Sequence, residues 1–225
     1  MAGPLSVIVG VGDGLSASLA RALAKRGHSL VLAARNPDKL AALKSETGAL
    51  VVACDAARDK DVDALFAGLP ATPEVVIYNP SYRVRGPFID LDRVEVKRTL
   101  EVTAYGAFLV AQAAARQMLP KRHGAILLTG ASAGVKGYPQ SAPFAMGKFA
   151  LRGLAQSMAR ELHPQGIHIG HVVIDGGIRS ATRKDDGNDS LLDPDAIAAV
   201  YLQLIDQPRS SWTWEIEVRP WVERF

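Results

Sequence analysis

Three glycines spaced two apart open Gly10-Val11-Gly12-Asp13-Gly14-Leu15-Ser16, just ahead of an alanine-rich segment. Glycines allow a tight turn through which backbone can approach a phosphate. A helix beginning behind them offers free N–H groups and its positive dipole end. The spacing therefore predicts a pyrophosphate cradle, and with it a dinucleotide. Asp13 sits inside this turn, where a carboxylate would repel phosphate; it could equally cap a helix that starts at Gly14 or Leu15. Further on, Ala33-Ala34-Arg35-Asn36 has no acidic residue to accept a ribose 2′-hydroxyl. Arg35 instead presents a planar fork suited to a 2′-phosphate, which favours NADP, with NAD as the alternative. Lys148 lies among Phe144, Phe149, Leu151 and Leu154. An amine on an apolar face needs a polar or anionic partner, and the ribose hydroxyls of a nicotinamide nucleotide would serve. A lysine snorkelling to the helix surface is the other reading.

The elements that must position these groups follow from hydrophobic patterning. Short apolar runs at Leu5–Val9, Ser29–Ala33, Ala49–Cys54, Glu74–Tyr78, Ala125–Thr129, His168–Ile174 and Thr213–Val218 predict strands. Most are continuous rather than alternating, as parallel strands covered on both faces must be. Helical periodicity predicts helices over Leu15–Arg26, Asp38–Thr47, Lys60–Gly68, Asp92–Met118, Ser141–His163 and Asp193–Ile205. Alternating strands and helices with short turns predict an α/β fold: one Rossmann domain over residues 1–225, with a doubly wound parallel sheet of about seven strands. The stretch 179–190, rich in charge, Gly, Asn and Asp, is a candidate loop.

These motifs, in this order, resemble the short-chain dehydrogenase/reductase family. Gly10, Gly14 and position 16 follow its G-x-x-x-G-x-G spacing, with Ser16 in place of the third glycine. The resemblance covers about Leu5 to Ile205. It implies that Asp55 meets the adenine ring, that Asn79 ties neighbouring strand ends together, and that Gly176 and Ile178, in Asp175-Gly176-Gly177-Ile178, meet the nicotinamide. The family places Tyr-x-x-x-Lys on one helix, so that the two side chains share a face and the ammonium lowers the phenol pKa. Here the segment is Phe144-Ala145-Met146-Gly147-Lys148. Lys148 matches, while Phe144 stands at the tyrosine position without a hydroxyl. The family's serine position falls at Ala131, with Ser132 beside it, and its asparagine position at Thr103. Tyr138 and Tyr78 are weaker candidates to replace the phenol. Ser132 could bind a carbonyl but is a poor proton donor.

Two function classes remain after this reading. One is an NAD(P)-dependent oxidoreductase of small-molecule carbonyls or alcohols with an atypical proton donor. The other is a dinucleotide-binding sensor or partner protein without catalysis. Chemistry that draws its proton from water, such as reduction of an activated double bond or imine, is a third variant. The resemblance also implies a homodimer or homotetramer, and exposed aromatics at Trp212, Trp214, Trp221 and Phe225 would need cover. A net charge of +3 with no run of Lys/Arg argues against nucleic acid. No apolar run has transmembrane length, so no membrane is expected. The five histidines show no metal-ligand spacing. The one cysteine, Cys54, reads as a buried small hydrophobe in a cytoplasmic protein.

Overall fold

The apolar runs are buried on both faces wherever they lie inside the sheet, and half-exposed only at its edges. The computed structural model describes residues 3–223 apart from 181 and 186. Its strands are β1 (Leu5–Val9), β2 (Ser29–Ala34), β3 (Leu50–Ala53), β4 (Val75–Tyr78), β5 (Ala125–Thr129), β6 (His168–Ile174), a short β7 (Gly177–Ile178) and β8 (Leu191–Leu192), and β9 (Glu215–Val218). Seven of them form one parallel sheet in the order β3-β2-β1-β4-β5-β6-β9. β1, β4, β5 and β6 are buried throughout, while the edge strands β3 and β9 are only partly covered. The chain is thus a Rossmann-type α/β fold.

The helices are α1 (Leu15–Lys25), α2 (Ala41–Thr47), α3 (Asp59–Ala67), α4 (Arg93–Leu100), α5 (Gly106–Met118), α6 (Ala142–Leu162) and α7 (Pro194–Ile205). Successive strand residues point to opposite faces. Val7, Val76 and Ile126 pack with α3, α5 and α6, whereas Ile8, Ile77 and Leu127 pack with α1, α2 and α7. That division makes the sheet doubly wound.

Three features differ from the sequence-based expectation. The helix expected over Asp92–Met118 is interrupted by a π turn at Glu101–Tyr105. The interruption has identifiable partners. The Val102 carbonyl accepts from the Tyr78 hydroxyl, and Thr103 Oγ1 accepts from the Tyr82 amide at 3.3 Å. Immediately after it, Gly106 lies so close to β4 that a Cβ would come within 2.5 Å of the Tyr78 hydroxyl and 2.6 Å of the Ala56 carbonyl. Second, β7 and β8 pair in parallel, Gly177 with Leu191 and Ile178 with Leu192, and close the base of the 179–190 loop. Runs of two residues carry too little periodicity to be seen in a sequence. Third, Trp212 and Trp214 are not left bare. Trp212 stacks on His168 at 4.8 Å, and Trp214 packs against the α5/α6 core. Trp221 is exposed, and Phe225 lies outside the described residues.

Because Gly106 has no room for a side chain, Gly106→Ala is expected to lower stability by about 1–3 kcal/mol, the usual cost of overpacking. Thermal unfolding measures it. An unchanged Tm would show that the helix slides away from β4 without strain.

Candidate active site

β1 leads straight into the glycine turn. Gly10 has φ +80°, and a Cβ there would come within 2.5 Å of the Pro80 ring, so both conformation and space require glycine. The Gly10 and Val11 amides donate to the Ala33 carbonyl at 2.9 and 3.2 Å, fixing the turn to the end of β2. At Gly12 and Gly14 a Cβ would meet nothing within 4 Å, so this part of the turn faces open space next to the first turn of α1. Ser16, at the third glycine position, is buried. Its Oγ donates to the Gly10 carbonyl at 3.2 Å and accepts from Asn79 Nδ2 at 2.6 Å. The hydroxyl therefore links the turn to the end of β4, a connection that no spacing rule in the sequence announces. Asp13 is not the cap its position suggested. Gly14 is the N-cap of α1 without any side-chain hydrogen bond, and the Asp13 carboxylate is exposed.

Three connected clefts run along the carboxyl ends of the strands, where open α/β sheets bind ligands. The first, about 280 Å³, is lined by Arg35 and Asp55 together with Gly10 and Asn79. The second, about 310 Å³, is lined by Gly10, Gly12, Gly14, Leu15, Phe144, Lys148 and Ile178. The third, about 760 Å³, shares Phe144 and Ile178 with the second and adds Ser132, Tyr138 and Gly176. The structure thus brings together nearly all of the residues singled out in the sequence. Asp13, Thr103 and Tyr78 are the exceptions, since none of them lines a cleft. Thr103 is buried, and Gly147 packs on it so closely that a Cβ would stand 3.0 Å away.

Lys148 is the central group. It projects from α6 into the second cleft, is 3% exposed, and donates to the Thr129 carbonyl at 2.7 Å. No carboxylate among the described residues lies within 4 Å of it. Burial without an anionic partner holds its pKa down at about 7. The Thr129 hydroxyl in turn bonds the Tyr201 hydroxyl at 2.7 Å, which steadies the end of β5. Phe144 lies one helical turn before Lys148, its ring centroid 5.7 Å from Nζ. The other face of the site carries Arg83, whose guanidinium stands 4.9 Å from the Phe144 centroid. Sequence reasoning did not single out Arg83; only its loop position after β4 pointed toward the site.

The alternative hydroxyls are placed differently. Tyr78 is fully buried and donates to the Val102 carbonyl, and burial raises its pKa, so it faces α5 rather than the groove. Tyr138 does reach the third cleft, carried by a loop whose Gln140 adopts φ +57°. Cys54 is buried, and burial pushes its thiol up to about 11, which leaves it unreactive.

A parallel sheet with a glycine turn after β1 and a lysine-bearing helix beside it defines a nucleotide-binding oxidoreductase scaffold. Residues 5–190 match the family model for short chain dehydrogenase. The chain belongs to the short-chain dehydrogenase family of NAD(P)-dependent oxidoreductases. A short-chain dehydrogenase from Rhodopseudomonas palustris is 34% identical and superposes with a TM-score of 0.86, covering 97% of this chain and 99% of that one. A metagenomic short-chain oxidoreductase solved in complex with NADP is 27% identical, with a TM-score of 0.85 and 98% of each chain covered. A very-long-chain 3-oxoacyl-CoA reductase of Podospora anserina is 28% identical over 183 residues, 76% of this chain and 54% of its own length. The chain therefore spans about half of that relative. Among the described residues, no helix is long and apolar enough to cross a membrane.

Removing the buried amine tests its energetics. Lys148→Met is expected to stabilise the protein without ligand by about 1–3 kcal/mol near neutral pH, since a poorly solvated charge gives way to an apolar chain of similar size. The gain should shrink as pH rises from about 7 toward 10.5, because there the unfolded lysine still holds its proton while the folded one has released it, so wild-type stability climbs with pH. Paired thermal unfolding curves across that range measure it, and a gain that does not change with pH would refute the assigned titration.

Proposed function

We propose that this protein is an NADP-dependent reductase of a small carbonyl compound that works without the family's phenolic acid. The observation that carries this reading is the placement of Lys148, Phe144 and the glycine turn around one cleft. A nicotinamide dinucleotide fits the residues present, because Gly12 and Gly14 face open space and a buried amine lacks an anionic partner. Bound there, the cofactor supplies hydride exchange with a carbonyl or alcohol carbon.

In this reading the whole chain, 1–225, acts as one binding domain. Gly10, Gly12, Gly14 and Leu15 carry the pyrophosphate on backbone amides and the α1 dipole. Asp55 flanks the adenine, and Arg35 takes a 2′-phosphate. Asn79 holds the turn through Ser16. Gly176 and Ile178 offer backbone to the carboxamide, and Lys148 holds the nicotinamide ribose. Phe144 keeps the ring shape of the family's tyrosine, while Ser132 offers a hydroxyl to a carbonyl oxygen in the third cleft. Thr103 contributes by packing rather than by contact with substrate. Lys148, titrating at about 7, is the group that keeps a proton available to a developing alkoxide.

Calorimetric titration is expected to give tighter binding of NADPH than NADH. Arg35→Ala should remove that preference, at a cost of about 1.5–3 kcal/mol for the charged contacts. Equal affinities in the wild type would overturn the NADP assignment. In steady-state assays over a panel of ketones and aldehydes, reduction should be slow and should fall as pH rises through about 7. Phe144→Tyr should raise kcat on the order of a hundredfold. Turnover no higher than that of Lys148→Ala, together with tight cofactor binding, would instead support a non-catalytic dinucleotide-binding protein.

A further inference from the structure

The third cleft carries an unbalanced charge. Arg83 and Arg85, from the loop after β4, and Arg183, from the loop that β7 and β8 close, all line it. None of the three has a carboxylate within 4 Å among the described residues. The acids on the same walls do not balance them. Asp175 is engaged by Arg219 at 3.2 Å and Lys136 at 3.8 Å, and Glu223 is exposed at the rim. Arg83, Arg85 and Arg183 are all exposed to the solvent of the cleft, and the Arg83 guanidinium lies over the Phe144 ring at 4.9 Å. Partial desolvation, then the charges of Arg85 and Arg183, destabilise its protonated form. The loop that carries Arg83 and Arg85 is tied to the segment before α6, since the Gly86 amide donates to the Gln140 carbonyl at 3.2 Å. Convergent like charges in one cleft repel each other, and a bound anion relieves that repulsion. Guanidinium forks match carboxylate and phosphate oxygens in geometry as well as in charge.

We propose that the substrate carries an anionic group, a carboxylate or a phosphate ester, which Arg83, Arg85 and Arg183 hold while its carbonyl lies over Phe144. This rests on the reductase reading for the position of the carbonyl, but the anion site stands on its own geometry. A volume of about 760 Å³ accommodates a small organic acid with room for a longer chain.

The test uses the full chain, with and without NADPH, titrated with benzoate, phenyl phosphate and neutral benzamide by calorimetry. Benzoate or phenyl phosphate is expected to bind at least tenfold more tightly than benzamide, and the stronger of the two identifies the anion. Arg83→Gln combined with Arg85→Gln, and separately Arg183→Gln, should remove at least tenfold of that affinity while NADPH affinity stays within twofold. In turnover, 4-oxopentanoate should show a lower KM than its methyl ester, and the variants should erase the difference. Equal binding of benzoate, phenyl phosphate and benzamide to the wild-type chain would overturn the proposal. A loss of NADPH affinity in the variants with no change in anion affinity would also overturn it, by assigning the arginines to the cofactor. Failure of NADPH to bind the wild type, with anion binding intact, would strike the reductase reading and leave this site standing.

Discussion

A buried amine whose hydrogen bond, among the described residues, goes to one backbone carbonyl is the constraint around which the site is arranged. Lys148 can stay buried only because α6 delivers it to the end of β5, where the Thr129 carbonyl accepts its bond. That places a long apolar helix against the sheet, with Gly147 and Gly134 permitting the approach of their neighbours. A structure built for stability alone would put an apolar side chain there. Among the described residues no carboxylate lies within 4 Å of this cation, so its charge is left without an anionic partner inside the protein; in the proposed function ribose hydroxyls take that role.

The same logic extends to the backbone. The glycine turn is useful only if it does not move, and it is anchored on both sides: by amides bonded to β2 and by the Ser16 hydroxyl bridging to Asn79 at the end of β4. On the opposite face, the Tyr78 hydroxyl and the tight seat of Gly106 fix where α5 begins. The π turn just before it is a local departure from regular helix held by specific partners, and such turns frequently accompany functional sites. The rigid parts of the groove are thus set by polar groups that bond one another within the protein.

Much of this was legible in the sequence. Strand and helix positions followed from apolar runs and 3.6-residue periodicity, because burial on both sheet faces leaves a strong imprint on composition. The glycine turn, Arg35, Phe144 and Lys148 could be placed because each lies at a strand end or on a helix face fixed by local spacing. What was not legible depended on contacts between distant segments. Ser16 looked like a small replacement for glycine, and its bond to Asn79 reaches across the first three βα units. Thr103 looked like a site residue by position, yet packing against Gly147 buries it. Tyr138 was only a weaker candidate in the sequence, and a loop containing a left-handed Gln140 carries it to the third cleft. Arg83, Arg85 and Arg183 are scattered in sequence and converge only through topology.

The small parallel pair formed by β7 and β8 has an evolutionary consequence. It pins both ends of the 179–190 loop beside the sheet, so the segment between behaves as a cassette. Changing the length of such a loop costs little, about 0.6 kcal/mol for each doubling, and the sheet registers on either side need not shift. Selection can therefore rewrite what this molecule recognises while leaving its folding intact. A lineage of such chains would be expected to diverge fastest at the cassette and most slowly at the strand ends that frame it.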